Sequence, residues 1–227
     1  MKVLSIIIPV YNEEKTISTV LDVLLQQEIK GWKKEIIVVN DGSTDSTAEI
    51  LKKYKKNITL LHHKLNCGRG TAVRSGIQAV TGDAVIFQDA DLEYNPQDIQ
   101  KLIQQLNPPS TAVVYGNRMN KANKKGYLTH YLGNKIMTFV ANLLFGTKLH
   151  DTYTGYKLYT TSLLKSLDLK STGFELEAEI TALVLKKNIL IKEVFIRYEP
   201  RTYKEGKKIL FNDGIIGIWT LLKLRFS

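Results

Sequence analysis

The chain has 227 residues, 44% hydrophobic and 24% charged, the make-up of one large globular domain or one domain with an appendage; a disordered tail protein, a collagen-like repeat and a polytopic membrane protein are excluded. Its single cysteine, Cys67, excludes an internal disulfide and a multi-cysteine zinc site and suits a reducing compartment. The net charge of +10 is unevenly placed: residues 116–149 carry six basic and no acidic side chains, residues 201–227 carry six basic and two acidic, and the remainder balances.

In chain order, residues 3–8, 35–40, 58–63, 84–88 and 112–115 are short and rich in Val and Ile and predict strands. The first of these resembles a signal peptide only briefly. Pro9 ends the run without a small-residue cleavage site, so a buried strand and a cytoplasmic protein are expected. Residues 14–27, 44–54, 71–80 and 97–106 predict the intervening helices, the second capped by Ser43 or Asp45 and the fourth opened by Pro96. Strand–helix alternation with nearly continuous apolar strands predicts a mostly parallel sheet covered on both faces, with ligands at the carboxyl ends of the strands.

The second half predicts helices over 127–145, 175–187 and 209–226 and a strand over 190–197. The apolar part of the last helix, roughly 13 residues, spans ~20 Å, short of the ~30 Å hydrocarbon core of a bilayer. It either packs on the domain core or, with Trp219, Lys223 and Arg225, lies in a membrane interface.

Polar clusters follow the predicted strands. Asp89-Ala90-Asp91 sets two carboxylates two residues apart directly after a buried strand, where they repel unless a cation lies between them. Such oxygens, with Glu93 as a possible third, suit Mg²⁺ or Mn²⁺; the alternative is a solvated acidic turn. Asp41 at the end of the second strand can accept hydrogen bonds from a nucleobase, or belong to a turn and cap. Asn66-Cys67-Gly68-Arg69-Gly70 is a glycine-rich loop opening a helix, a geometry that binds phosphates, but it is neither a Walker loop nor a dinucleotide fingerprint.

Ile-Ile-Pro-Val-Tyr-Asn-Glu-Glu at 7–14, Val-Val-Asn-Asp-Gly-Ser-Thr-Asp at 38–45, Asn-x-Gly-x-Gly-x-Ala at 66–72 and Asp-Ala-Asp-Leu at 89–92 together resemble family 2 glycosyltransferases of the GT-A fold. The segments 115–118, 151–157 and 201–208 are similar to the dolichyl/polyprenyl-phosphate hexosyltransferase branch, the mannosyltransferases in particular. The resemblance spans essentially the whole chain. It implies a GT-A (Rossmann-like) catalytic domain over 1–208 and a C-terminal amphipathic helix over 209–227.

By that resemblance, Pro9, Tyr11, Glu13, Asp41, Asp89 and Ala90 would bind the donor nucleotide, and Asp89, Asp91 and Glu93 the metal. Arg118, Lys135, Arg201 and Lys207 would meet phosphates, and Asp91, Arg118, Asp151 and Arg201 would act in catalysis. GDP-mannose is the favoured donor, although Gly206-Lys207-Lys208 replaces the usual Gly-x-Ser-Lys and leaves a UDP-hexose open. The implied acceptor is a polyprenyl or dolichyl phosphate at the cytoplasmic membrane face, with peripheral membrane contact and any membrane-spanning partner on a separate chain.

A lipid phosphate is already a nucleophile, whereas an alcohol acceptor would need a base, for which Asp151 is the candidate; Asp151 can equally orient Arg118 or Lys157. Lys121, Lys124 and Lys125 fit a loop closing over the donor or a solvated loop. Glu175, Glu177 and Glu179 fit helix-dipole partners better than catalytic groups, and the four histidines form no metal-ligand spacing. The rivals outside this branch are transfer to a glycan hydroxyl, a basic nucleic-acid-binding protein and a catalytically silent scaffold. Nucleic-acid binding leaves Asp89 and Asp91 unexplained, because they would repel a phosphate backbone.

Overall fold

The structure is a computed structural model that describes residues 1–124, 126–202 and 211–227. Lys2–Val10 (β1), Trp32–Asp41 (β2), Thr59–His63 (β3), Ala84–Phe87 (β4), Val113–Asn117 (β5), Lys157–Thr160 (β6) and Ile191–Phe195 (β7) form one sheet in the order β3-β2-β1-β4-β6-β5-β7. β3, β2, β1 and β4 pair in parallel, β6 runs antiparallel to both β4 and β5, and β7 is parallel to β5. The first apolar run, expected as a buried strand, is thus a central strand of the sheet.

Alternation within the apolar strands feeds two cores. Leu4, Ile6 and Ile8 face Ile17–Gln26 (α1), Thr47–Lys52 (α2) and Ile99–Ile103 (α4), while Ile7, Ile37 and Val39 face Arg69–Ala79 (α3), Thr161–Lys165 (α6) and Leu176–Lys186 (α7). α1 buries Ile17, Val20, Leu21 and Leu24, the stripe of a helix lying on a sheet. The N-cap of α2 is Ser46 rather than the expected Ser43 or Asp45, although Asp45 Oδ1 accepts a hydrogen bond from Thr47 N at 3.0 Å just outside it. The helix expected over 97–106 begins as a 3-10 turn, Pro96–Asp98, and continues as α4.

Two elements were absent from the sequence pattern, β6 and α6. β6 inserts between β4 and β5 and carries a fully buried lysine, Lys157, which no apolar-run criterion selects.

Leu128–Phe145 (α5) and Phe211–Phe226 (α8) pack with α7 around Met137, Ala141, Ala178, Ala182 and Leu221. Of the two expectations for the last helix, packing on the core is met by buried Gly217 and Leu221, while Ile215, Ile216, Trp219 and Phe226 are exposed. α5 behaves likewise, exposing Leu128, Leu132, Ile136, Phe139 and Leu143 along one stripe. Among the described residues no helix is long and apolar enough to cross a membrane.

Candidate active site

β2 and β4 flank β1 on its two sides, so the three carboxyl ends open onto one crevice where the strand order reverses. A cavity of about 360 Å³ lies there. It is lined by Pro9 of β1, Tyr11 and Glu13 after it, Asp41 from β2, Asp89, Ala90, Asp91, Glu93 and Tyr94 after β4, Arg69 of α3, and Arg118 and Arg201. The structure therefore gathers Pro9, Tyr11, Glu13, Asp41, Asp89, Ala90, Asp91, Glu93, Arg118 and Arg201 as the sequence motifs anticipate. Asp151 and Lys135 do not line the cavity, and Lys207 and Lys125 lie outside the described residues.

At one end, Asp41 is held by the glycine-rich loop. Oδ1 accepts from Cys67 N at 3.1 Å and lies 2.6 Å from His63 Nδ1, and Oδ2 accepts from Gly68 N at 2.9 Å. The loop thus commits two amides to Asp41 rather than offering them to a phosphate. Gly68 makes this possible with φ +90; a Cβ there would lie 2.4 Å from Thr172 O.

At the centre, each aspartate of the Asp-x-Asp pair meets one arginine. Arg69 donates Nε and Nη2 to Asp89 Oδ1 at 3.2 and 2.9 Å, and Arg201 donates Nη2 to Asp91 Oδ2 at 3.2 Å. Burial, together with the charges of Asp89 and Glu93, pushes the Asp91 carboxyl up to about 7 despite Arg201. Glu93, expected as a third metal ligand, instead accepts from Tyr198 Oη at 2.7 Å and Arg201 N at 2.7 Å, fastening segment 198–201 to the Asp-x-Asp turn. Gly155 closes the floor: a Cβ there would stand 2.5 Å from Asp89 Oδ2.

Behind the cavity lies a buried network that sequence reasoning missed. Arg69 Nη1 donates to Glu177 Oε1 at 2.6 Å, and Lys157 Nζ contacts Glu177 Oε2 and donates to the Glu177 carbonyl at 3.0 Å. Burial alone would raise the Glu177 carboxyl; Lys157 and Arg69 hold it below its ordinary value. Glu177 stands in the first turn of α7 as expected but also lines the cavity, whereas Glu175 accepts from Thr172 N and Gly173 N at the turn before α7. The signal available in the sequence was Arg69 itself, a cation inside a glycine-rich loop that opens toward the acidic pair.

Asp151 is 0% exposed and locked to Arg118, whose Nε and Nη2 donate to its two oxygens at 2.8 Å each, with a third bond from Arg118 N at 2.9 Å. Burial opposes its ionisation, but Arg118 and Asn134 hold it below the usual carboxylate value. In the structure it orients Arg118, the other role expected for it, and it does not line the cavity. Lys135 sits on the exposed side of α5, 5.9 Å from the Tyr131 ring, away from the phosphate-binding place expected for it.

Residues 5–168 match the family described as Glycosyl transferase family 2. The chain is 34% identical over 182 residues to the dolichyl-phosphate beta-glucosyltransferase of Trichomonas vaginalis, covering 72% of this chain and 55% of that protein. It is 29% identical over 247 residues to the UDP-N-acetylglucosamine–dolichyl-phosphate N-acetylglucosaminyltransferase of Methanococcus voltae, covering 98% and 97%. Among solved structures it resembles glucosyl-3-phosphoglycerate synthase from Mycobacterium tuberculosis in complex with Mn²⁺, uridine-diphosphate and phosphoglyceric acid. The TM-score is 0.76 at 22% identity, over 99% of this chain and 78% of that one, a likeness of fold that agrees with the expected GT-A architecture.

Proposed function

The chain belongs to glycosyl transferase family 2, and from that membership we propose that it transfers a hexose from a nucleotide sugar to a polyprenyl or dolichyl phosphate, inverting the anomeric carbon. The observation that carries this is the gathering of Asp41, the Asp89–Asp91 pair, Arg118 and Arg201 on one cavity at the carboxyl ends of β1, β2 and β4. UDP-glucose or UDP-N-acetylglucosamine stands ahead of GDP-mannose, because the similar proteins are named for glucosyl and N-acetylglucosaminyl transfer.

Pro9, Tyr11, Asp41 and Ala90 are assigned to the nucleoside end and Arg118 and Arg201 to the phosphates. Asp89 and Asp91 are hard oxygen donors facing the cavity, the chemistry that Mg²⁺ or Mn²⁺ requires, so the residues present fit such an ion. When bound, it offsets charge on the departing diphosphate. Glu93 is assigned to bracing segment 198–201 rather than to the metal.

The acceptor follows from the acids. Those lining the cavity are Glu13, Asp41, Asp89, Asp91, Glu93 and Glu177, and each is engaged by a cation, a hydroxyl or a backbone amide. Three guanidinium groups, Arg69, Arg118 and Arg201, line the same cavity beside these acids, which favours an acceptor that is already an anion. The exposed apolar stripes of α5 and α8, with Lys135, Lys223 and Arg225 among them, fit peripheral attachment to a membrane. Its cytoplasmic, reducing face suits the free Cys67.

The test is thermal stabilisation by Mn²⁺ with UDP or GDP, repeated with Asp91→Ala. Metal-dependent stabilisation by UDP, lost in the variant, is expected; stabilisation by GDP alone would reverse the donor order, and none with either nucleotide would refute the donor site.

A further inference from the structure

Arg201 holds two carboxylates at once. Its Nη1 meets Glu13 Oε2 at 3.0 Å and its Nη2 meets Glu13 Oε1 at 3.1 Å, while the same Nη2 reaches Asp91 Oδ2 at 3.2 Å. The pair with Glu13 is the two-pronged geometry in which a planar guanidinium binds a carboxylate best. Asp91 Oδ1 accepts from Glu93 N at 3.1 Å, and among the described residues Arg201 is the donor to Oδ2.

The surroundings let this contact, and not its neighbour, be exchanged. Arg69 on Asp89 is pinned from behind by buried Glu177. Arg201 is held through its backbone by Glu93, and Glu13, which its guanidinium also grips, is fixed just before α1 by Glu13 N donating to Thr47 Oγ1 at 2.9 Å and Thr16 Oγ1 donating to Glu13 Oε2 at 2.8 Å. The guanidinium can therefore leave Asp91 while its contacts with Glu93 and Glu13 stay in place. A divalent ion on Asp91 Oδ2 would repel a guanidinium on the same oxygen strongly in so closed a site.

We propose that Arg201 is a resident counter-ion of Asp91 that yields this oxygen to the metal and, pivoting at Glu13, turns to the donor diphosphate. One side chain then couples metal binding to donor binding. The inference rests on Asp91 being a metal ligand, and Glu13 becomes a positioning residue for Arg201 rather than a nucleoside contact.

The experiment is Mn²⁺ binding to the full chain, read from the electron paramagnetic resonance signal of free Mn²⁺, without and with UDP. Arg201→Gln should bind Mn²⁺ alone about tenfold more tightly than the native chain, because the competitor is gone. Arg201→Lys keeps the charge but not the fork; it should shift the same way, and UDP should tighten Mn²⁺ binding less in both variants than in the native chain. Native Mn²⁺ affinity in Arg201→Lys would assign the effect to net charge and overturn the exchange, as would unchanged or weaker binding in Arg201→Gln. Asp91→Asn separates the two levels: lost Mn²⁺ binding upholds the metal site whatever Arg201 does, and retained binding refutes the site itself.

Discussion

Asp151 and Arg118 form a closed pair: three hydrogen bonds of 2.8–2.9 Å join them, and Asp151 has no exposed surface. A carboxylate so placed does not line the cavity, yet it decides where the cavity-lining guanidinium points. Asp151→Asn should cost about 3–5 kcal/mol of stability in urea unfolding, the range for breaking a buried ion pair from one side. The sign with pH follows from a carboxyl lowered in the folded state. Its contribution is complete above the ordinary carboxylate range and is lost as the pH falls through the depressed value. Turnover should drop through misplaced Arg118, with the shape of the pH–rate profile unchanged; loss of a basic limb in the variant would restore Asp151 as a base.

Asp91 predicts the opposite sign. Its carboxyl is raised to about 7 by burial and by Asp89 and Glu93, so the folded chain binds more protons than the unfolded chain between the ordinary carboxylate range and that value. Without metal, stability from this group should fall as the pH rises toward about 7 and level off above it. Asp91→Asn should therefore raise the Tm at about pH 8, by roughly 1–3 kcal/mol of stability, while abolishing Mn²⁺ binding. Calorimetry at acid and alkaline pH checks both, and a lower Tm at the alkaline pH would contradict it.

The two-helix apolar surface predicts lipid binding. Phe139 and Trp219, each 66% exposed, stand on α5 and α8. Phe139→Asp and Trp219→Asp should each weaken flotation with anionic liposomes about tenfold, as expected for withdrawing one large apolar group from a bilayer interface. UDP-dependent stabilisation should persist. Truncating α8 is a poorer test, because Gly217 and Leu221 also close the core that it shares with α5 and α7. Unchanged flotation of both substitutions would rule the surface out.

The first half of the fold was legible because its strands are continuous Val and Ile runs bounded by polar turns. The residues of those turns land at the carboxyl ends, where Asp41, Asp89 and Asp91 were anticipated. β6 was not legible: its core-facing Lys157 is polar by type and buried only because Glu177, in another element, pairs with it. The same long-range pairing hid Glu177, whose partner Arg69 lies over a hundred residues upstream in the glycine-rich loop. Glu93 shows the limit of spacing arguments, since proximity to Asp91 suggested a shared metal, whereas its oxygens meet Tyr198 and the Arg201 backbone, over a hundred residues downstream.

The most direct measurement compares acceptors. The chain is incubated with Mn²⁺ and radiolabelled UDP-glucose, UDP-N-acetylglucosamine or GDP-mannose, offered either a polyprenyl phosphate or the corresponding polyprenol, and organic-phase label is counted. A cavity lined by Arg69, Arg118 and Arg201 predicts label transferred to the phosphate, with metal present, and none to the alcohol. Transfer to the alcohol, or no transfer to the phosphate from any of the three donors, would contradict the account.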